Sequence, residues 1–394
     1  MRGTDNYLKR WLRDTLGIFN TELRNILHDG GVMIIFIAAG FFYPILYNFV
    51  YKNGILEDTP IAVVDNADCS DSRRMIREMD ATREIDIACK CVSMEEAREL
   101  FDQRKVNGII YFPSDFGDAI ARSQTATFSI YADMSSFLYY KNLLMGAEFV
   151  MLHEINDIKM ERYSLENPVV YEDVNPYNRA FSYSIFLISA ILMLIIQQVM
   201  FYGMSMSVGT MREENRSFAS LPDSYTGHGV GRVVIGRGAV YWLIFMIIGI
   251  YVTCIVPAMF RFPQRGNYWE ILILLSLFVT VCVFFCMSWS TLVTRRESAF
   301  LLFLFMSPVC LFLTGFSWPV SAFPAFWKYF SYLFPSTFGC QAFINMNTAG
   351  AELGIIAPQL RALCAPGVVY FVLACVAVYV ENFALKHKID ILSV

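Results

Sequence analysis

Six long apolar runs without a charged residue divide the chain: Gly31–Val50, Ala180–Met211, Gly238–Phe260, Ile271–Thr294, Ser298–Trp327 and Ala362–Val380. At about 1.5 Å rise per residue, roughly 20 such residues cross a hydrocarbon core about 30 Å thick. A backbone in lipid must satisfy its own hydrogen bonds, so six helical spans are predicted, the first over 31–50. Ahead of it, Leu8, Trp11, Leu12, Leu16, Phe19, Leu23, Ile26 and Leu27 recur at helical spacing, while Arg10, Arg13, Asp14, Asn20 and Arg24 fall elsewhere. Residues 1–30 therefore read as an amphipathic helix lying in the membrane interface. The stretch GFSWPVSAFPAFWKYFSYLFPST, residues 315–337, is as apolar as its surroundings but holds Pro319, Pro324, Pro335 and Lys328. Each proline removes a backbone donor and crowds the preceding turn, so no straight helix runs through it. Two short helices dipping into the outer leaflet are expected there, their aromatic residues suiting the interface.

Residues 51–179 follow a different period. PIAVVDNAD, EIDIACKCV, VNGIIYFP and ATFSIYAD read as short strands ended by turn residues. DSRRMIREM, SMEEARELFDQ with its Ser93 cap, SDFGDAIA and a longer segment from about Ser136 to Tyr163 read as helices. Strands alternating with helices predict a small sheet with helices packed on it. The segment returns to the second span through NPYN (175–178), and residues 180–394 carry spans two to six with a polar loop at 211–237. The predicted fold class is an α-helical polytopic membrane protein with an inserted α/β domain.

Composition agrees with this pattern: 56% of the 394 residues are hydrophobic and 17% charged, against about 25% charged in an ordinary soluble domain. Thirty residues precede the first run, which is too long for a signal-peptide core and lacks a small-x-small site after it, so an uncleaved anchor is expected. Arg2, Lys9, Arg10, Arg13, Arg24, Arg212, Arg216, Arg232, Arg237, Arg295, Arg296, Lys386 and Lys388 all fall on one predicted side. Positive residues in short loops mark the cytoplasmic side, whereas a long loop is translocated whatever its charge. Both termini are thus expected inside and residues 51–179 outside. That outside segment holds 14 Lys and Arg against 23 Asp and Glu, which suits the face of a bacterial inner membrane turned away from the cytoplasm.

Candidate chemistry is sparse. No GxxxxGK[ST] phosphate loop occurs, and GHGVGR at 227–232 follows no strand and reads as a flexible approach to the third span. HEIND (153–157) has Asp157 where a zinc-protease motif needs its second histidine, so His153 and Glu154 read as solvated helix residues. No CxxC is present and no metal is expected; Cys69 is placed either to bridge Cys89 or Cys91 or to stay a free thiol. Near the spans only Glu381 is acidic, at a cytoplasmic end within reach of water, which argues against a proton-coupled carrier. Gln197 and Gln198 are the polar exceptions in the second span; they either line a pathway or bond neighbouring helices.

The chain resembles the permease subunits of ATP-binding cassette (ABC) transporters of the type 2 exporter class, in the branch with a large extracytoplasmic domain after the first helix. Gly315, Pro319, Pro324 and Pro335 are similar to that family's G-x-x-x-P-x-x-x-x-P…P segment before the last helix, which forms a re-entrant pair. The loop after the second span is similar to its E-R-E-x-G-T-x-x-x-L segment, with Glu214, Ser217 and Leu221 at the second Glu, the Thr and the Leu; Arg212, Glu213 and Arg216 depart from it. The resemblance implies that the Glu213–Leu221 region is a coupling helix docked on a separate ABC ATPase, which binds ATP-Mg while this chain binds no cofactor. It further implies a second permease subunit, identical or sister, and an outside domain that guides substrate or docks a periplasmic adaptor. Membrane lipid is the other expected partner, and nucleic acid is not one. The expected activity is export of an amphipathic small molecule or lipid. The alternative, a membrane-anchored receptor or scaffold whose outside domain binds a ligand or adaptor, predicts one or two spans and a cytoplasmic output domain.

Overall fold

The computed structural model describes residues 2–51, 56–122, 124–133, 136–163, 183–214, 216–218, 229–262 and 264–387. In chain order its elements begin with α1 (Arg2–His28), α2 (Gly30–Val50), β1 (Thr59–Asp65), α3 (Ser70–Asp80) and β2 (Ile85–Cys91). Next come α4 (Met94–Asp102), β3 (Gly108–Phe112), α5 (Phe116–Ala121), β4 (Ser129–Ala132) and α6 (Phe137–Tyr163). The chain continues with α7 (Tyr183–Glu213), α8 (Val230–Met259), α9 (Tyr268–Ser290) and α10 (Arg296–Leu313). It closes with α11 (Ala325–Ser331), α12 (Pro335–Ala349) and α13 (Leu353–His387). Two compact units emerge, one of Met1–Gly54 with Pro176–Val394, the other of Ile55–Asn175. The predicted link at 175–178 lies outside the described residues.

The smaller unit is a four-stranded sheet in the order β2-β1-β3-β4, parallel except for β4 against β3. Central β1 is apolar on both faces, as a strand covered on both sides must be. Ile61 and Val63 pack with Met75, Met79 and Leu143 on one face, and Ala62 and Val64 with Ala97 and Val106 on the other. The expected caps are in place: the Ser93 hydroxyl accepts the Glu96 N–H at 3.2 Å, and a Glu96 oxygen accepts the Val92 N–H at 3.0 Å. The cysteine alternatives resolve here, because all ten thiols are free, and Cys69 packs on the face opposite to Cys89 and Cys91. Glu154 corrects the solvated reading of HEIND: it is buried, held by Arg74 through Nε at 2.7 Å and Nη2 at 2.6 Å, and so joins α6 to α3.

Among the described residues six helices are long and apolar enough to cross a membrane, and all lie in the larger unit: α2, α7, α8, α9, α10 and α13. The chain is thus a multi-pass membrane protein. α7 is the hub, with 83% of its apolar window buried, whereas α10 at the rim has 17%. α2 and α8 each widen into a π-helical turn, at Ala38–Phe42 and Tyr251–Ile255, and the two turns touch. Such a turn breaks the regular ladder of backbone bonds, and the Phe41 carbonyl here accepts the Tyr251 hydroxyl at 3.3 Å.

Three predicted spans change their bounds, and the sixth, read from Ala362, begins at Leu353, so that Arg361 lies within α13. α8 begins at Val230, so Arg232 and Arg237 of the expected loop lie within a helix. The fifth span, read to Trp327, stops at Leu313, because Gly315 turns the chain with a positive φ of 85°. After it the prolines start helices rather than break them. Pro319 precedes a 3-10 turn (Val320–Ala322), Pro324 caps α11 and Pro335 is the first residue of α12, where the missing N–H has no partner to lose.

α1 packs along α8 by a face that runs Asp14, Ile18, Glu22, Ile26, one helical turn apart. Leu12, Leu16 and Leu27, on the predicted apolar stripe, are exposed. Asp14, placed off that stripe from sequence, is buried because Arg232 of α8 meets it at 2.7 Å.

Candidate functional site

Helices α2, α7 and α10 diverge around a groove of about 1180 Å³. Its walls are Ile34, Phe42 and Tyr47 from α2, Gln198 and Tyr202 from α7, and Phe303 and Pro308 from α10. Pro308 stands inside α10, and the π-helical turn of α2 contributes Ala38, Ala39 and Phe42. No charged side chain lines the groove among the described residues. An uncharged, largely apolar cleft with few polar groups is the usual form of a small-molecule site.

The two glutamines divide. Gln197 is fully buried between helices; its Nε2 donates to Cys310 Sγ and its Oε1 accepts from the Cys282 thiol, both at 3.7 Å. It serves packing among α7, α9 and α10. Gln198 lines the groove, and its buried Oε1 has no hydrogen-bond partner among the described residues. A buried carbonyl without a donor is unfavourable until one arrives.

At the end of the bundle that carries Arg212, Arg232 and Arg296, here called the basic end, charged groups tie the helices together. Asp29 precedes α2, where one oxygen accepts the Gly31 and Val32 N–H groups at 3.0 and 3.2 Å. The same carboxylate accepts the Thr210 hydroxyl at 3.0 Å and the Arg296 guanidinium at 3.0 Å. Beside it, Glu22 of α1 lies 3.5 Å from Arg237 and accepts the Tyr241 hydroxyl at 3.1 Å, both partners in α8. The Arg237 guanidinium also covers the Phe218 ring at 4.4 Å.

The residues expected to form a docking loop are drawn into this network. Glu213 ends α7 and accepts the Arg296 N–H at 2.8 Å. The Ser217 hydroxyl donates to Glu381 of α13 at 2.7 Å, and Arg212 stands 3.6 Å from the same carboxylate. Glu381, expected at the water's edge, is therefore held inside by the chain's own groups. Glu213 keeps an exposed side chain despite that contact, and Glu214, paired with Arg216, is exposed beside it; Leu221 lies outside the described residues. Gly315, Pro319, Pro324 and Pro335 gather between α10 and α12, where the Thr337 hydroxyl donates to Leu313 O at 3.1 Å and Gln341 Nε2 to Thr314 O at 3.2 Å. Among the described residues no cluster of His, Cys, Asp and Glu is arranged to hold a metal ion.

Sequence reasoning missed Asp29, Glu22 and Thr210 as site residues. Two of the three had a signal: Asp29 precedes Gly-Gly at the start of an apolar run, as a helix cap does, and Glu22 shares the four-residue register of Ile18 and Ile26. Thr210 had none.

Comparison of the chain with family models gives a match to the ABC-2 family transporter protein model over residues 31–376. No curated protein and no solved structure matches.

Proposed function

The chain belongs to the ABC-2 family of transporter proteins and is a membrane permease subunit of an ABC transporter, and from that premise we propose that it exports an amphipathic small molecule or lipid through the groove between α2, α7 and α10. A groove without charge whose one buried carbonyl waits for a donor carries this reading. It favours a substrate with an apolar body and one neutral N–H or O–H group. A receptor anchored by one or two spans does not fit six.

In this reading the basic end faces the cytoplasm, both termini are inside and the sheet unit is outside, in a bacterial inner membrane. ATP-Mg is hydrolysed by a partner ABC ATPase that docks at the surface around Glu214. A second permease subunit, identical or sister, covers the sparsely buried α10 and closes the groove into a path. α11 and α12, of 7 and 15 residues, are too short to cross and form a re-entrant pair on the outer side. ATP acts by binding one arrangement of the two permeases better than the other. The sheet unit guides substrate or docks an adaptor, and membrane lipid surrounds the whole.

Purification from native membrane with identification of bound subunits tests this. An ABC ATPase is expected to accompany the chain, and apolar hydroxyl- or amide-bearing compounds to stimulate its ATP hydrolysis. Gln198→Leu is expected to raise the half-stimulating concentration roughly tenfold, the scale of one buried hydrogen bond. Absence of an ATPase from the purified complex refutes the reading. Glu214→Lys is expected to weaken ATPase recovery without preventing insertion; unchanged recovery removes Glu214 from the dock.

A further inference from the structure

The three helices that wall the groove are the same three that meet at Asp29, Thr210 and Arg296. Along α2, Asp29 lies five residues before Ile34; along α7, Thr210 lies eight after Tyr202; along α10, Arg296 lies seven before Phe303. At about 1.5 Å per residue, each is roughly 7 to 12 Å beyond the groove lining, toward the basic end. We infer that Asp29, Thr210 and Arg296 are a latch that closes the groove at its basic end and that transport must release.

Contacts too close for a side chain mark this as a built junction. A Cβ at Gly31 would stand 1.9 Å from Arg296 Nη2, and one at Gly209 would stand 2.8 Å from the Arg296 backbone nitrogen. Glycine at both positions lets α10 begin directly against α2 and α7. Asp29 then joins all three elements: it caps the first turn of α2 and accepts from Thr210 of α7 and Arg296 of α10.

Among the ion pairs at this end, the Glu22 and Asp29 clusters differ in burial, and burial decides which of the two opens. The Glu22 and Arg237 side chains are 1% and 8% exposed, so parting them would leave a bare charge inside the protein. Arg296 is 36% exposed and Asp29 10%, and both line a polar hollow of about 290 Å³; a departing guanidinium meets water, while Asp29 keeps the Gly31, Val32 and Thr210 donors. The first cluster is a permanent bolt between α1 and α8; the second is a releasable one. Glu213 connects the latch to the docking loop, since its carboxylate holds the Arg296 N–H while its own backbone closes α7. A pull on the residues after Glu213 therefore draws on the α10 terminus that carries the latch arginine. This inference rests on the permease reading for its role in transport, but not for its test.

The test uses the full chain in sealed membrane vesicles, with a membrane-impermeant maleimide added from one side at a time. The probe is Ile195→Cys, in the groove wall on a helix that has no cysteine of its own; mass spectrometry of that peptide reports labelling. With the latch intact, the introduced thiol is expected to be shielded from the basic end. Asp29→Asn, which keeps the cap on α2 but loses the charge, and Gly31→Ala, which keeps both charges but displaces the guanidinium, are each expected to speed labelling from that end about fivefold or more, the lower bound of a conformational coupling. Glu297→Gln, an exposed carboxylate in the first turn of α10 outside the latch, is expected to leave it unchanged. Labelling that stays slow in both latch variants overturns the inference, as does labelling that rises equally from both faces. Neither ATP nor a partner enters this measurement, so its failure leaves the permease reading standing, and absence of an ATPase leaves the latch standing.

Discussion

Arg237 and Glu78 mark two opposite fates of a charged residue. Arg237 is 7% exposed, opposite Glu22, with the Tyr241 hydroxyl on the other carboxylate oxygen and Phe218 beneath the guanidinium. Arg237→Ala leaves Glu22 as a buried charge and is expected to destabilise the larger unit by about 3 kcal/mol, whereas Glu22→Gln with Arg237→Met removes both charges and is expected to lose much less. Thermal melting of the purified protein in lipid discs checks the difference. Glu78 of the sheet unit has the His153 imidazole at 3.6 Å, a partner that is charged only when protonated. Burial first, and then the neighbouring Glu154 carboxylate, hold its carboxyl above the ordinary 4.5, against the weaker opposing pull of His153 and Arg74. A raised carboxylate favours the fold when protonated, so its stabilising contribution is full below the ordinary value and is lost as pH rises through the raised one. Glu78→Gln is therefore expected to raise the melting temperature near about pH 7.5 and to bring no gain near about pH 4. An equal gain at both values would refute the assignment.

Among the elements, those of the sheet unit were legible residue by residue. Period-two alternation, the Ser93 cap and Pro113 after β3 each name a boundary that the structure keeps. The end of α10 was not, since Thr314 and Gly315 are as apolar in context as what precedes them; only the positive φ of Gly315 reveals the turn. An alanine there would be strained, and its Cβ would stand 2.4 Å from Val320 Cγ2. Gly315→Ala is expected to destabilise by about 1–2 kcal/mol or more, seen as a lower melting temperature and faster proteolysis between α10 and α11. The π-helical turns of α2 and α8 were equally hidden, because one surplus residue in a uniformly apolar run leaves no mark on its period. α1 shows the converse problem. Its apolar stripe was plain, but its buried face includes Asp14 and Glu22, whose partners lie more than 200 positions away in sequence.

For the whole molecule, the number of spans and the inserted sheet unit could be read because hydrocarbon thickness and strand period act locally. The groove could not, since it depends on how α2, α7 and α10 diverge; likewise nothing in the adjacent Gln197 and Gln198 says which faces the cleft and which the core. Spacing alone was also silent on the turning inward of Ser217 and Glu381, which is a property of the folded basic end. One consequence concerns the helix that the family model leaves out. The match begins at residue 31, so Asp14 and Glu22 fall before it, while Arg232 and Arg237 fall within it. A chain trimmed to the matched region would leave the Arg237 guanidinium buried in α8 without the Glu22 carboxylate that faces it. Expression of such a truncated permease should fail unless Arg237 is replaced by an apolar residue of similar length.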